Sequence, residues 1–182
     1  AYNNGIDLIK AKKYNEAKAQ FQSAYNQGIK EADIQIALLN KETKNYNEAL
    51  KWFKLALGRG VTAANFEIGA ILYDTGKQSE ARPYLMKAYN SGNKGLAGAI
   101  AATYHKEKNM SEALKWYKIA AKNGDKNAKE IVSQLESGGK VAETTKRGVK
   151  SFLNGGEAQN ESLTKQTLKQ INNSNESKDA NK

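Results

Sequence analysis

The chain has 182 residues, no cysteine, a single proline and a formal net charge of +10. Without cysteine it has no disulfide framework and no thiolate metal site, and no apolar run reaches the roughly 18 residues that a membrane-spanning helix needs. Scarce proline beside abundant helix formers points to an all-α protein. Among its basic residues only Arg59, Arg82 and Arg147 are arginine, and the excess of lysine is spread along the chain. Nucleic-acid recognition leans on the bidentate fork of arginine, whereas scattered lysine makes a solvated helix surface. A chain that opens on Ala1, with no charged start leading into an apolar core, is expected of a mature exported protein whose signal has been removed, or of a trimmed domain.

In chain order, one pattern recurs four times at a constant interval of thirty-two: YNEAKAQFQSAYNQG from Tyr14, YNEALKWFKLALGRG from Tyr46, QSEARPYLMKAYNSG from Gln78 and MSEALKWYKIAAKNG from Met110. A fixed period in this range signals a solenoid, each repeat burying its apolar face only by stacking on its neighbours. Every copy reads as a helix. Asn15, Asn47, Ser79 and Ser111 are expected to cap its start, followed by Glu16, Glu48, Glu80 and Glu112 at the positive end of the helix dipole. Pro83 is expected near the start of its helix, where a missing N–H costs least. Gly28, Gly60, Gly92 and Gly124 mark the ends. Two alanine columns, from Ala17 and from Ala24, run through all copies and lie on one face. Between them sit the large residues Phe21, Phe53, Leu85 and Tyr117, read as core.

A less regular helix precedes each copy. Its core column is Ile36, Ile68 and Ile100, followed by the small Ala37, Gly69 and Ala101, with Gly5 in that place in the first repeat. Beyond Gly124 the pattern weakens: Val132 continues the isoleucine column, and Thr145, Val149 and Phe152 occupy the columns of Ala113, Tyr117 and Ala120. Residues 1–156 therefore read as four clear repeats plus a degenerate fifth, 157–172 as a capping helix around Leu163, Leu168 and Ile171, and 173–182 as a disordered tail.

ALKWYKIAAKNGDKNA at 113–128 resembles the end of a Sel-one-like repeat (SLR) and the start of the next, and ANFEIGAILYDTG at 64–76 resembles an SLR first helix. The span from Ile36 to Ala49 is similar to the tight turn of tetratricopeptide repeats (TPR), and that from Ala120 to Val132 to the short SLR junction. The resemblance implies a right-handed α-α superhelix, a solenoid of helix-turn-helix repeats whose first helices line a concave groove. It also implies protein–protein interaction, in bacteria often by exported proteins of envelope, secretion or signalling assemblies, so a periplasmic or secreted location is expected, with the cytoplasm as the alternative. Carried over column by column, the groove comprises Ile34, Leu38, Lys41 and Glu42, then Phe66, Ala70, Tyr73 and Asp74, then Gly98, Ala102, His105 and Lys106. The recurring cations of a carboxylate-clamping TPR groove are missing; only Lys41 and Lys106 are cationic. An apolar floor flanked by charge suits a peptide held by side-chain pockets, although Ile34 and Phe66 would serve equally as packing between repeats.

No catalytic constellation accompanies this pattern. His105 is the only histidine, and neither HExxH nor CxxC spacing occurs. Gly92, Gly95 and Gly98 straddle a repeat boundary and do not form a phosphate loop; Glu42, Glu67 and Asp74 are scattered. The expectation is a non-enzymatic scaffold or adaptor with no metal, no cofactor and no small-molecule substrate. The alternatives are a basic protein binding nucleic acid or an anionic surface, and an envelope enzyme dependent on His105.

Overall fold

The computed structural model describes residues 1–138 and 152–153, and among these every regular element is helical. The elements are α1 (Tyr2–Lys10), α2 (Tyr14–Asn26), α3 (Ala32–Glu42), α4 (Tyr46–Gly58), α5 (Ala64–Asp74), α6 (Gln78–Asn90), a short 3-10 turn (Lys94–Leu96), α7 (Ala97–Lys106), α8 (Met110–Lys122) and α9 (Lys126–Glu136). Phe152 and Leu153 are also helical. Thr145 and Val149 of the expected fifth repeat, the capping helix at 157–172 and the tail at 173–182 lie outside the described residues. The chain forms two compact units, Ala1–Ala64 and the part from Asn65 onward.

Helices α2, α4, α6 and α8 are of equal length and end alike. Gly28, Gly60, Gly92 and Gly124 sit past their last turns at φ of +95°, +97°, +116° and +98°. The residue after each glycine returns its N–H to a carbonyl of the second alanine column: Ile29 to Ala24 and Val61 to Ala56 at 3.0 Å, Asn93 to Ala88 and Asp125 to Ala120 at 3.1 Å. This is the Schellman closure, and it satisfies carbonyls that a helix end otherwise leaves orphaned.

The shorter helices α1, α3, α5 and α7 close in the same way. Their left-handed residues are Lys12, Lys44, Gly76 and Lys108, at φ of +58°, +59°, +85° and +61°. The next residue donates back into the helix, Lys13 to Leu8, Asn45 to Asn40, Lys77 to Leu72 and Asn109 to Tyr104, over 2.7–3.0 Å. That same residue is the N-cap of the following helix. The expected caps Asn15, Asn47, Ser79 and Ser111 are therefore misplaced; they lie inside the first turn, because the reversal finishes at the left-handed residue and the helix starts at once. Of the actual caps, the Asn109 side chain accepts the Glu112 N–H at 3.3 Å. The earlier start of α6 also leaves Pro83 as its sixth residue, in the helix interior, where the ring removes the bond to the Ser79 carbonyl.

Packing follows the columns. Ala17, Ala49, Ala81 and Ala113 are fully buried, as are Phe21, Leu85 and Tyr117, with Phe53 nearly so. In the first unit, a Cβ on Gly5 of α1 would lie 2.8 Å from Phe21 Cζ of α2. In the second, a Cβ on Gly69 of α5 would lie 2.7 Å from Leu85 Cδ2 of α6. Each glycine is thus the seat of a large side chain from the next helix, which offsets the roughly 0.5–1 kcal/mol that glycine costs within a helix. In α9 the buried residues are Ala128 and Ile131, while Val132 is only half-buried. The isoleucine column does not continue as expected: α9 turns Ala128 and Ile131 inward, and one residue further along the helix is about 100° round its circumference.

Lysine at a left-handed position carries strain of about 1 kcal/mol that glycine avoids. Lys44→Gly is expected to raise unfolding stability by up to about 1 kcal/mol, and Gly124→Ala to lower it by a similar amount. Urea midpoints of the two variants check both signs.

Candidate functional site

The residues singled out as a groove fall in both compact units. In the first, α3 carries Ile34, buried, with Leu38 and Lys41 half-buried. Its first turn also holds a feature the sequence did not flag. Asp33, 2% exposed, accepts from Arg59 Nη2 at 2.9 Å and Arg59 Nε at 3.1 Å. This bidentate pair ties the end of α4 to the start of α3, and the carboxylate raises the Arg59 pKa further.

In the second unit, Phe66, Ala70 and Tyr73 of α5 are buried, His105 is half-buried and Lys106 is exposed. The Lys106 ammonium donates to the Gly76 carbonyl at the end of α5, at 3.4 Å. Helix spacing of three to four residues sets Phe66, Ala70 and Tyr73 on one side of α5. Their burial makes Phe66 and Tyr73 packing residues in this state, while the rim residues His105 and Lys106 keep solvent access.

Around Tyr117 of α8 the second unit gathers an aromatic cluster. His105 Nδ1 lies 3.3 Å from the Tyr117 hydroxyl, and the two rings meet edge-on with centroids 6.0 Å apart. The Phe152 ring packs on Tyr117 at 5.8 Å and lies directly over Gly98 of α7. Burial, reinforced by Tyr117 and Asp74, pushes the Tyr73 phenol well above the ordinary tyrosine range. Burial likewise raises Tyr117 and holds the His105 imidazole below its ordinary 6.5. The Tyr73 hydroxyl is buried without a hydrogen-bond partner among the described residues.

A polar cluster borders this unit. Arg82 of α6 grips Glu107 through two bonds of 2.7 and 2.8 Å, Ser79 donates to the same carboxylate, and the guanidinium stacks 4.2 Å from the Tyr104 ring centroid. The bonds from Arg82 and then Ser79 hold the Glu107 carboxyl down at about 2. Arg59 and Arg82 are thus both committed to carboxylates of this chain.

Among the described residues, no three His, Cys, Asp or Glu side chains gather as metal ligands, and no helix is long and apolar enough to cross a membrane. The sequence placed Phe152 in the Ala120 column, but its contact with Gly98 and Tyr117, like the Arg82–Glu107 pair, escaped the reading because both join positions distant in the chain. Gly98 was the available signal for Phe152, since it breaks a column that is otherwise Tyr2, Ile34 and Phe66. No protein-family model matches the chain, and no curated protein matches it in sequence.

The lowered His105 value sets a pH dependence. Below its ordinary pKa the unfolded chain binds the proton more readily than the folded one, so this contribution is complete above about pH 6.5 and is lost as the pH falls through the lower folded value. The thermal midpoint is expected to drop from about pH 7 to about pH 5, and His105→Gln to flatten that segment, as followed by circular dichroism.

Proposed function

We propose that the chain is a helical-repeat protein of the SLR and TPR kind, coiled as a right-handed superhelix of 32-residue helix pairs. We read it as a non-catalytic interaction module that binds a protein segment on the face of its first helices. The observation that carries this reading is the accessible edge of the second unit's aromatic cluster: His105, half-buried and 3.3 Å from the buried Tyr117 hydroxyl, with the exposed Lys106 beside it. Such an edge offers a peptide an imidazole and an ammonium beside apolar packing. Export to a bacterial cell envelope belongs to this reading and rests on the resemblance alone.

The net charge of +10 favours a second reading, association with nucleic acid or an anionic surface. Against it, Arg59 and Arg82 are engaged internally, which among the described residues leaves lysine to make the contacts.

Affinity capture from the native cell extract separates the two. The wild-type chain is expected to retain a protein partner through a salt wash, and His105→Glu or Lys106→Glu, each with unchanged helicity and midpoint, to retain at least about tenfold less, equivalent to about 1.4 kcal/mol. Full partner recovery by both folded variants would contradict the proposed face. A gel shift whose strength falls steeply with salt, without protein capture, would favour the second reading.

A further inference from the structure

We propose that the notch above Gly98 is a receptor for one aromatic side chain, and that the chain's own Phe152 occupies it as an internal ligand. Gly98 falls in the repeat column that holds Phe66, Ile34 and Tyr2 in the three preceding repeats. Those three side chains are large and at most 5% exposed. At Gly98 the column has no side chain at all, and a gap in a packed interior forfeits its contacts unless something else fills it.

Phe152 fills it. A Cβ on Gly98 would collide with Phe152 Cδ1, so the ring rests on bare helix backbone. Phe152 is 1% exposed and Leu153 beside it 6%. The ring's partner is also the equivalent one. In the first unit Tyr2 packs edge-on against Phe21, with centroids 5.2 Å apart. Tyr117 holds the column position of Phe21 in the fourth repeat, and Phe152 packs against it at 5.8 Å. Phe152 thus supplies, from far beyond Gly98 in the chain, the ring that Tyr2 supplies from within its own helix. On the same side of α7, three and four residues past Gly98, Ala101 and Ala102 are also small and buried.

An external segment carrying an aromatic residue competes with Phe152 for this notch; that consequence rests on the interaction reading above, while the intramolecular contact does not. The test uses the full chain and a fluorescent peptide of its own residues 147–156, RGVKSFLNGG. The Phe152→Ala chain, with its notch emptied, is expected to bind the peptide at least about tenfold more tightly than wild type, and a peptide with alanine in place of its phenylalanine is expected not to bind. Equal binding to both chains, or binding indifferent to the peptide's phenylalanine, would overturn the proposal. Independently, Gly98→Tyr restores the side chain of the column, and hydrogen exchange at the Phe152–Leu153 amides is expected to rise while α7 and α8 stay protected. Unchanged exchange at 152–153 in that variant would likewise overturn it. Should Gly98→Tyr not fold, the peptide measurement decides alone, since it needs no change at Gly98. Neither arm involves a partner, so their failure leaves the interaction reading standing, and a failed capture experiment leaves the notch standing.

Discussion

The interaction on which the first and third helix pairs depend is a large side chain of one helix seated on a residue without a Cβ in another, a place that the small Ala37 and Ala101 hold in the second and fourth. Gly5 beneath Phe21 and Gly69 beneath Leu85 bring paired helices closer than any side chain at those positions would permit. Ala17, Ala49, Ala81 and Ala113 are completely buried in all four pairs, and this packing lets short helices of nine to thirteen residues form a core. Such helices are marginal in isolation, so their stability comes from this packing more than from propensity. The turns serve the same end: left-handed residues at Lys12, Lys44, Gly76 and Lys108 reverse the chain at once, and the orphan carbonyls are closed locally.

Much of the helical architecture was legible because these devices are local and repeated. The alanine columns, the terminal glycines and the large residues between them stand where their spacing placed them. The capping residues were misread for an identifiable reason. The reversal that sets the helix start uses lysine in a left-handed conformation at Lys12, Lys44 and Lys108, and lysine gives no sequence signal for that backbone. Only Gly76 announced the position. Val132 went astray because a column fixes which residue repeats but not which side a neighbour covers.

The candidate site was less legible, for a different reason. Columns identify a face; what lies over that face comes from elsewhere in the chain. Ile34, Phe66, Ala70 and Tyr73 were named as groove residues and are buried, so the accessible chemistry falls to Leu38, Lys41, His105 and Lys106. The Asp33–Arg59 and Arg82–Glu107 pairs, each joining partners most of a repeat apart, were hidden by that separation. They also temper a reading based on net charge, since a guanidinium bound to an internal carboxylate is not presented to a polyanion.

The seating of large side chains on glycine is tested most directly by combining Gly69→Ala with Leu85→Ala and measuring unfolding free energy for all four chains. Gly69→Ala alone is expected to destabilise by about 1–3 kcal/mol through overpacking, and Leu85→Ala alone by about 2–5 kcal/mol through the cavity it leaves. Together they are expected to couple: once Leu85 is truncated, the methyl at position 69 loses its clash with the Leu85 side chain and keeps only the 3.2 Å approach to the Leu85 backbone nitrogen, so Gly69→Ala costs at least about 1 kcal/mol less than in the wild-type chain. Simple addition of the two losses would contradict the account.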